Sequence, residues 1–301
     1  MIDLNKPLAK CWRQQKAGFA ILERGKNTMV QGLSINTNPA AFVALQQLNK
    51  TNKQLNHTQL KITSGLKVNG PKDDSSTFQI STRLRGDISG VNAVKIALAN
   101  GDSTVQTAIT AGKHIKDLLI EMKGKVIQAN QAGIDGNSRT ALHNDFQALA
   151  DQITTIALTA EFNDANLIKS GATTFTVLSS QDGSTISISA QSMDTTALAI
   201  NASNLTTSGS AAAARTAIDS AIILAADKLA VLGAASKRVD VQLEFTGSLA
   251  DILTEGLGNL VDADLAKESA ELQAFQIKQQ LGVQALAIAN AGPQTILGLF
   301  Q

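Results

Sequence analysis

Asp73 and Asp74 stand side by side just after a Gly-Pro break. Adjacent carboxylates can share a proton or hold a divalent cation. At the start of a helix the same residues do something simpler: they accept hydrogen bonds from orphan N–H groups and offset the positive end of the dipole. The run Asn69-Gly-Pro-Lys-Asp-Asp-Ser-Ser76 has the composition of a helix start, so capping is the preferred reading. Asp262 and Asp264 are read the same way. His57, His114 and His143 fall on three separate predicted helices, without the His-x-x-His spacing that would aim two imidazoles at one metal. Cys11 is the single cysteine, which leaves no intrachain disulfide framework and no Cys-based metal site. Lys113, Lys116, Lys123 and Lys125 form the densest basic cluster, but Asp117 and Glu121 interleave it, which makes a solvated helix face the default. No Gly-rich phosphate cradle, nucleophile elbow or dinucleotide fingerprint occurs. The residues argue against an enzyme and call for no cofactor and no metal.

Function must then lie in the elements themselves. Of 301 residues, 44 % are hydrophobic but only 3 % aromatic, with no tyrosine, so Ala, Leu, Ile and Val carry the burial. Such a chain favours thin helix–helix seams over a core rich in rings. With 26 Lys and Arg against 25 Asp and Glu and no basic run, it lacks the clustered cations of a nucleic-acid or anionic-membrane surface. No apolar run reaches the ~18–20 residues of a membrane span.

The patterning predicts long helices. From Pro39 to about Leu66, Ala41, Leu48, Leu55 and Ile62 repeat every seven residues, with Phe42 and Leu45 beside them, Asn36 to Asn38 as cap candidates and Asn49, Lys50, Asn52, Lys53, Gln54 and Asn56 outside. Gly65 and the Asn69-Gly70-Pro71 turn end this helix. A second runs from about Asp74 to Asn100 on Ile80, Leu84, Ile88, Val91 and Leu98, with Asn100-Gly101-Asp102 as a break or kink. A third, on Val105, Ile109, Gly112, Leu119, Met122 and Val126, ends near Gly133. A fourth carries Leu142, Phe146, Leu149, Ile153 and Ile156. Thr173 to Leu178 and Thr185 to Ala190 then alternate with period two around Gln181-Asp182-Gly183, which predicts a β-hairpin. Thr196 to Ser210 reads as a loop. Helix returns from about Ala211 to Leu257 on Ile218, Ile222, Leu229, Leu232, Val239 and Leu243, interrupted by Gly256 and Gly258. A last helix begins with Asp262 as cap, turns Leu265, Leu272, Phe275 and Leu286 inward, and stops at Gly292-Pro293.

The expected fold is mostly α: long coiled-coil-like helices from both termini form an elongated helical rod with a small β-hairpin insert. Residues 29–70 and 260–301 are expected to pair as an inner coiled-coil unit, and 71–259 to form a helical rod domain with its insert at about 161–207. Residues 1–28 are basic, hold the single Trp and lack a secretory h-region. Because Met29 is in frame, we expect translation to start there and 1–28 to be a non-native or disordered extension; a genuine mobile extension is the alternative. Amphipathic helices with apolar surplus at both ends describe a self-assembling subunit, and head-to-tail contacts that do not close make a helical filament.

Ser34-Ile-Asn-Thr-Asn38, Ser64-Gly-Leu-Lys-Val-Asn69 followed by Lys72-Asp-Asp74, and Ile80 with Arg83 and Arg85 closely resemble the N-terminal pattern of bacterial flagellins. Asp262-Ala-Asp-Leu-Ala266, Gln279-Gln280, Ala285-Leu-Ala-Ile-Ala-Asn290 and Pro293-Gln-Thr-Ile-Leu297 are similar to the family's closing run. The resemblance covers most of 29–170 and 215–301. It implies a short flagellin without large variable outer domains: a structural subunit that self-assembles into the motility filament, a secreted protein of the extracellular flagellum. Implied partners are the chain itself as a helical homopolymer, an export chaperone, the filament cap and hook-junction proteins, with type III export, no nucleic acid and no membrane insertion. The implied polymerisation interface is Phe42, Leu45, Leu48, Leu55, Ile62, Leu272, Phe275, Leu286, Ile296, Leu297 and Phe300. The family-signature turn is Ser64, Gly65, Leu66, Asn69, Asp73 and Asp74. Where the family's receptor-stimulating helix carries a motif like Gln-Arg-Val-Arg-Glu-Leu, this chain has Glu121-Met-Lys-Gly-Lys125-Val126, a loss of cationic character that implies weak or no activation of the mammalian flagellin receptor. Two alternatives stand beside this reading: a hook–filament junction protein, and a surface glycan-binding homologue. Thr173, Ser184 and Ser208 are candidate O-glycosylation positions or plain solvent-facing hydroxyls.

Overall fold

The computed structural model describes residues 37–297, with side chains through residue 292. Five helices and one hairpin make up this stretch: α1 (Pro39–Ser64), α2 (Ser75–Ala129), α3 (Gly136–Thr159), β1 (Phe175–Leu178), β2 (Thr185–Ile188), α4 (Ser208–Val261) and α5 (Leu265–Leu297). They divide into two units, the first holding α1 and α5 and the second running from Leu66 to Asp262. Residues 1–28, on which the alternative start bears, lie outside the described residues, as does Phe300.

In the second unit α2 and α4 are single helices of 55 and 54 residues, each about 80 Å long at 1.5 Å per residue. The expected break at Asn100-Gly101-Asp102 is absent, and so is the interruption at Gly256 and Gly258. Gly101 serves packing instead. A Cβ there would lie 2.5 Å from Val177 Cγ2 of β1, so glycine is what lets the hairpin rest on α2. Gly112 does the same further along the helix, against Leu229 and Met193. The helical cost of each glycine, about 1 kcal/mol relative to alanine, is offset by the contacts it admits.

The core of this unit is a continuous apolar seam. From α2 come Leu98, Val105, Ile115, Leu119, Met122 and Val126; from α4 come Ile218, Leu232 and Val239, spaced by alanines; α3 adds Phe146 and Ile153. Each large side chain buried here stabilises the fold by about 1.5–3 kcal/mol. Ile80, placed in the α2 stripe by its spacing, is exposed instead. The hairpin pairs Phe175 with Ile188 and Val177 with Ile186, which puts these four apolar side chains on one face, and Gly183 takes the positive φ its turn requires.

The irregular chain on either side of the hairpin is core material. Asn166 is buried and fully used: its Nδ2 donates to the carbonyls of Ala157 and Leu158, and its Oδ1 accepts from the N–H groups of Ile168 and Lys169. That clasp presses Leu167 and Ile168 inward. Met193, Leu198, Ile200 and Leu205 are also fully buried, the last three inside the stretch expected to be a plain loop.

Candidate functional site

The residues expected to form the interface lie in the first unit, where α1 and α5 run antiparallel. Asn38 caps α1 by accepting from the Ala41 N–H and ties it to α5 by donating to the Ala289 carbonyl at 2.7 Å. Midway, Gln279 donates to Asn52 at 2.8 Å, and near the other end Lys61 pairs with Glu268 at 2.9 Å. These three links hold one register. Between them Ala41, Ala44, Leu48, Thr51, Leu55, Thr58 and Ile62 alternate three and four apart on α1, facing Leu272, Phe275, Gln279, Gly282, Leu286 and Ala289 of α5. Gly282 admits Leu48, whose Cδ1 would lie 3.2 Å from a Cβ at that position.

This seam is thin. Within it only Thr51, Thr58 and Glu268 are buried, and the large apolar residues stay half-exposed. Glu268 gives one oxygen to Lys61 and keeps the other buried without a partner. Meanwhile the opposite faces are apolar too: Phe42 is 61 % exposed, Val43 67 % and Ile288 74 %, and Leu45, Leu60, Ile277, Leu281 and Val283 join them. A shallow groove lined by Val43, Gln47, Ala285 and Ala289 lies between the two helices.

The expected interface therefore falls into two sets. Leu48, Leu55, Ile62, Leu272, Phe275 and Leu286 face the partner helix of the same chain, whereas Phe42 and Leu45 point outward. The side chains of Ile296 and Leu297 are outside the described ones. Leu265, expected inward, is half-exposed at the helix start, and Asn52, expected outside, is in the seam. Spacing alone could not have separated these, because both faces of α1 and α5 carry apolar residues. The outward set was legible only as surplus.

Both units meet their ends at short polar caps. Ser64 is the last residue of α1, and Gly65 follows in the left-handed conformation with φ 71°. In the second unit Leu66 bridges Asp262, and the Lys67 N–H donates to the Val261 carbonyl. Asp73 Oδ2 accepts from the N–H groups of Asn69 and Gly70, and Asp74 caps α2 by accepting from Ser76 and Thr77. The hydroxyl and N–H of Thr77, with those of Ser76, lower the Asp74 pKa to about 2. At α5 the capping carboxylate is Asp264, which accepts from Ala266 and Lys267; Asp262, expected in that role, instead follows the last turn of α4 in extended conformation.

No other chemistry gathers. His57, His114 and His143 lie on α1, α2 and α3, and no group of His, Cys, Asp or Glu among the described residues could hold a metal ion. No described helix is long and apolar enough to cross a membrane. The basic cluster is largely neutralised: Lys123 pairs with Asp219 and Lys125 with Asp145, each at 2.7 Å, and the Asp145 hydrogen bond raises the Lys125 pKa. In the segment aligned with receptor recognition, Glu121 is exposed but Val126 is in the core.

Comparison with known proteins places this arrangement. Residues 35–173 match the bacterial flagellin N-terminal helical region, and residues 216–300 match the C-terminal helical region of the same family. Flagellin FljM of Caulobacter vibrioides is 43 % identical, over 89 % of this chain and 98 % of its own length. A flagellin of Brucella melitensis is 34 % identical over 89 % and 99 %. Among solved structures, a putative flagellar hook-associated protein of Vibrio parahaemolyticus shares the fold with a TM-score of 0.54 at 14 % identity, covering 63 % of this chain and all of that one.

Proposed function

The chain belongs to the bacterial flagellins, and on that premise we infer that its two units divide the work of a filament subunit. The protein is a structural subunit of the flagellar filament. The unit built from α1 and α5 is the polymerising one. The unit from Leu66 to Asp262, a few residues wider at each end than the expected 71–259, is the rod that gives each subunit its stiffness. One observation supports this division above all: among the described residues, large apolar side chains on the outward faces of α1 and α5 stay exposed. Second copies supply the cover, at about 1.5–3 kcal/mol for each Ile, Leu or Phe buried.

The same reading carries the subunit's route and companions. A chain whose terminal helices are held together only by a thin seam suits export in an unfolded state through the flagellar type III channel, escorted by a chaperone and placed beneath a filament cap. The junction-protein alternative gains nothing from the hook-associated structure, which at 14 % identity shares the fold alone.

Negative-stain microscopy of the full chain after adding ammonium sulfate tests the assignment. Long uniform filaments are expected. Persistent monomers with native helical content would overturn it.

A further inference from the structure

Two Asn-Gly pairs face opposite treatment in the fold, Asn69-Gly70 and Asn100-Gly101. Asparagine followed by glycine is chemically fragile. Without a Cβ on the next residue, the following backbone nitrogen can reach the asparagine side-chain carbonyl carbon. Asn100-Gly101 is protected because it lies mid-helix in α2, with Gly101 wedged against Val177. Its N–H is committed to the helical ladder, and the backbone rotation that the attack needs would break that ladder.

Asn69-Gly70 has none of this protection. It lies in the non-helical chain before α2, Asn69 is exposed, and nothing stands within 4 Å of where a Gly70 Cβ would be. Among the described residues the Asn69 carboxamide has no hydrogen-bond partner. One restraint remains: Asp73 Oδ2 accepts from the N–H groups of Asn69 and Gly70 at 3.0 and 3.1 Å.

We propose that Asn69 is a site of spontaneous deamidation whose rate is held down by Asp73. Solvent base removes the Gly70 amide proton, and the nitrogen attacks the Asn69 side-chain carbonyl carbon. The bond from that carbon to the side-chain nitrogen breaks, and ammonia leaves with a proton from water, closing a five-membered imide. Water then opens the imide at either carbonyl, leaving aspartate or isoaspartate; the sum is the loss of one ammonia and the gain of one water. Asp73 opposes the first step twice. Its hydrogen bond must break, and its negative charge next to the nitrogen disfavours the amide anion. The product undoes that restraint. Either form adds a carboxylate beside Asp73, and isoaspartate inserts an extra methylene in the main chain, so both N–H groups no longer meet one oxygen. The turn leading into the Asp74 cap thus carries a mark of age.

Peptide mapping of the full-length protein held in mildly alkaline buffer tests this, with Asn100 as the internal standard. The peptide containing residue 69 should split with time into aspartate and isoaspartate forms, while Asn100 keeps its amide. Gly70→Ala, for which the site has room, should slow the conversion about tenfold or more, because the added Cβ restricts the approach. Asp73→Ala should speed it severalfold. An Asn69 as long-lived as Asn100, or a Gly70→Ala chain that converts at the parent rate, would overturn the site. Equal rates with and without Asp73 would overturn the restraint.

Discussion

At the scale of single residues, two positions carry more than their type suggests. Gly101 is a glycine in the middle of a long helix, where propensity alone favours alanine by about 1 kcal/mol. Contact with Val177 reverses the sign, since overpacking typically costs about 1–3 kcal/mol. Gly101→Ala should therefore lower the stability of the rod unit by about 1–2 kcal/mol, and adding Val177→Ala should recover it; thermal unfolding of the two variants checks this. Asp74 acts through charge. Its folded pKa is depressed from 3.8 to about 2, so its capping contribution is complete above pH 3.8 and is lost as pH falls toward 2. Amide exchange at Ser76 and Thr77 should quicken across that window, and in Asp74→Ala the quickening should already be present at neutral pH.

At the scale of elements, α1 and α5 are amphipathic twice over. One apolar stripe of each helix meets the other helix, and a second stripe stays exposed among the described residues. The two stripes make separable predictions. Leu48→Asp replaces an apolar seam contact beside Gly282 by a charge, removing about 1.5–3 kcal/mol of burial and adding a partly desolvated carboxylate, so α1 and α5 should separate and no filaments form while the rod unit keeps its helix content. Ile288→Ser leaves the seam intact and removes an outward side chain worth about 1.5–3 kcal/mol once covered, so helices should persist while the critical concentration rises tenfold or more. Sedimentation of assembled protein, paired with circular dichroism, separates the two cases. Equal critical concentrations for Ile288→Ser and the parent would refute the outward stripe as an interface.

At the scale of the whole molecule, the burial is unequal. Every buried hydrophobic residue among those described belongs to the unit from Leu66 to Asp262, and α1 and α5 contribute none. Local stability follows the apolar surface removed from water. In the free subunit the amides of α1 and α5 should therefore exchange far faster than those of α2 and α4, and the gap should close in filaments. Hydrogen exchange on both forms reads this directly. A free subunit with uniform protection would contradict it.

Much of this was open to the sequence alone. Heptad spacing marked α1 and α5, the period-two runs marked the hairpin around Gly183, and the Asp-Asp-Ser-Ser run marked the start of α2, because periodicity and capping are local physics carried by neighbouring residues. Tertiary structure decided what is not local. It made Gly101 a contact point and not a break, since only the arrival of Val177 gives a glycine there a purpose. It moved the α5 cap from Asp262 to Asp264, because Asp262 closes α4 and pairs with Leu66. It drew Met193, Leu198, Ile200 and Leu205 into the core from a stretch with no period to announce them. Above all it separated the inner stripe of α1 and α5 from the outer one: a repeat shows that a face is apolar, but only the position of the partner helix decides which face it covers and which stays exposed.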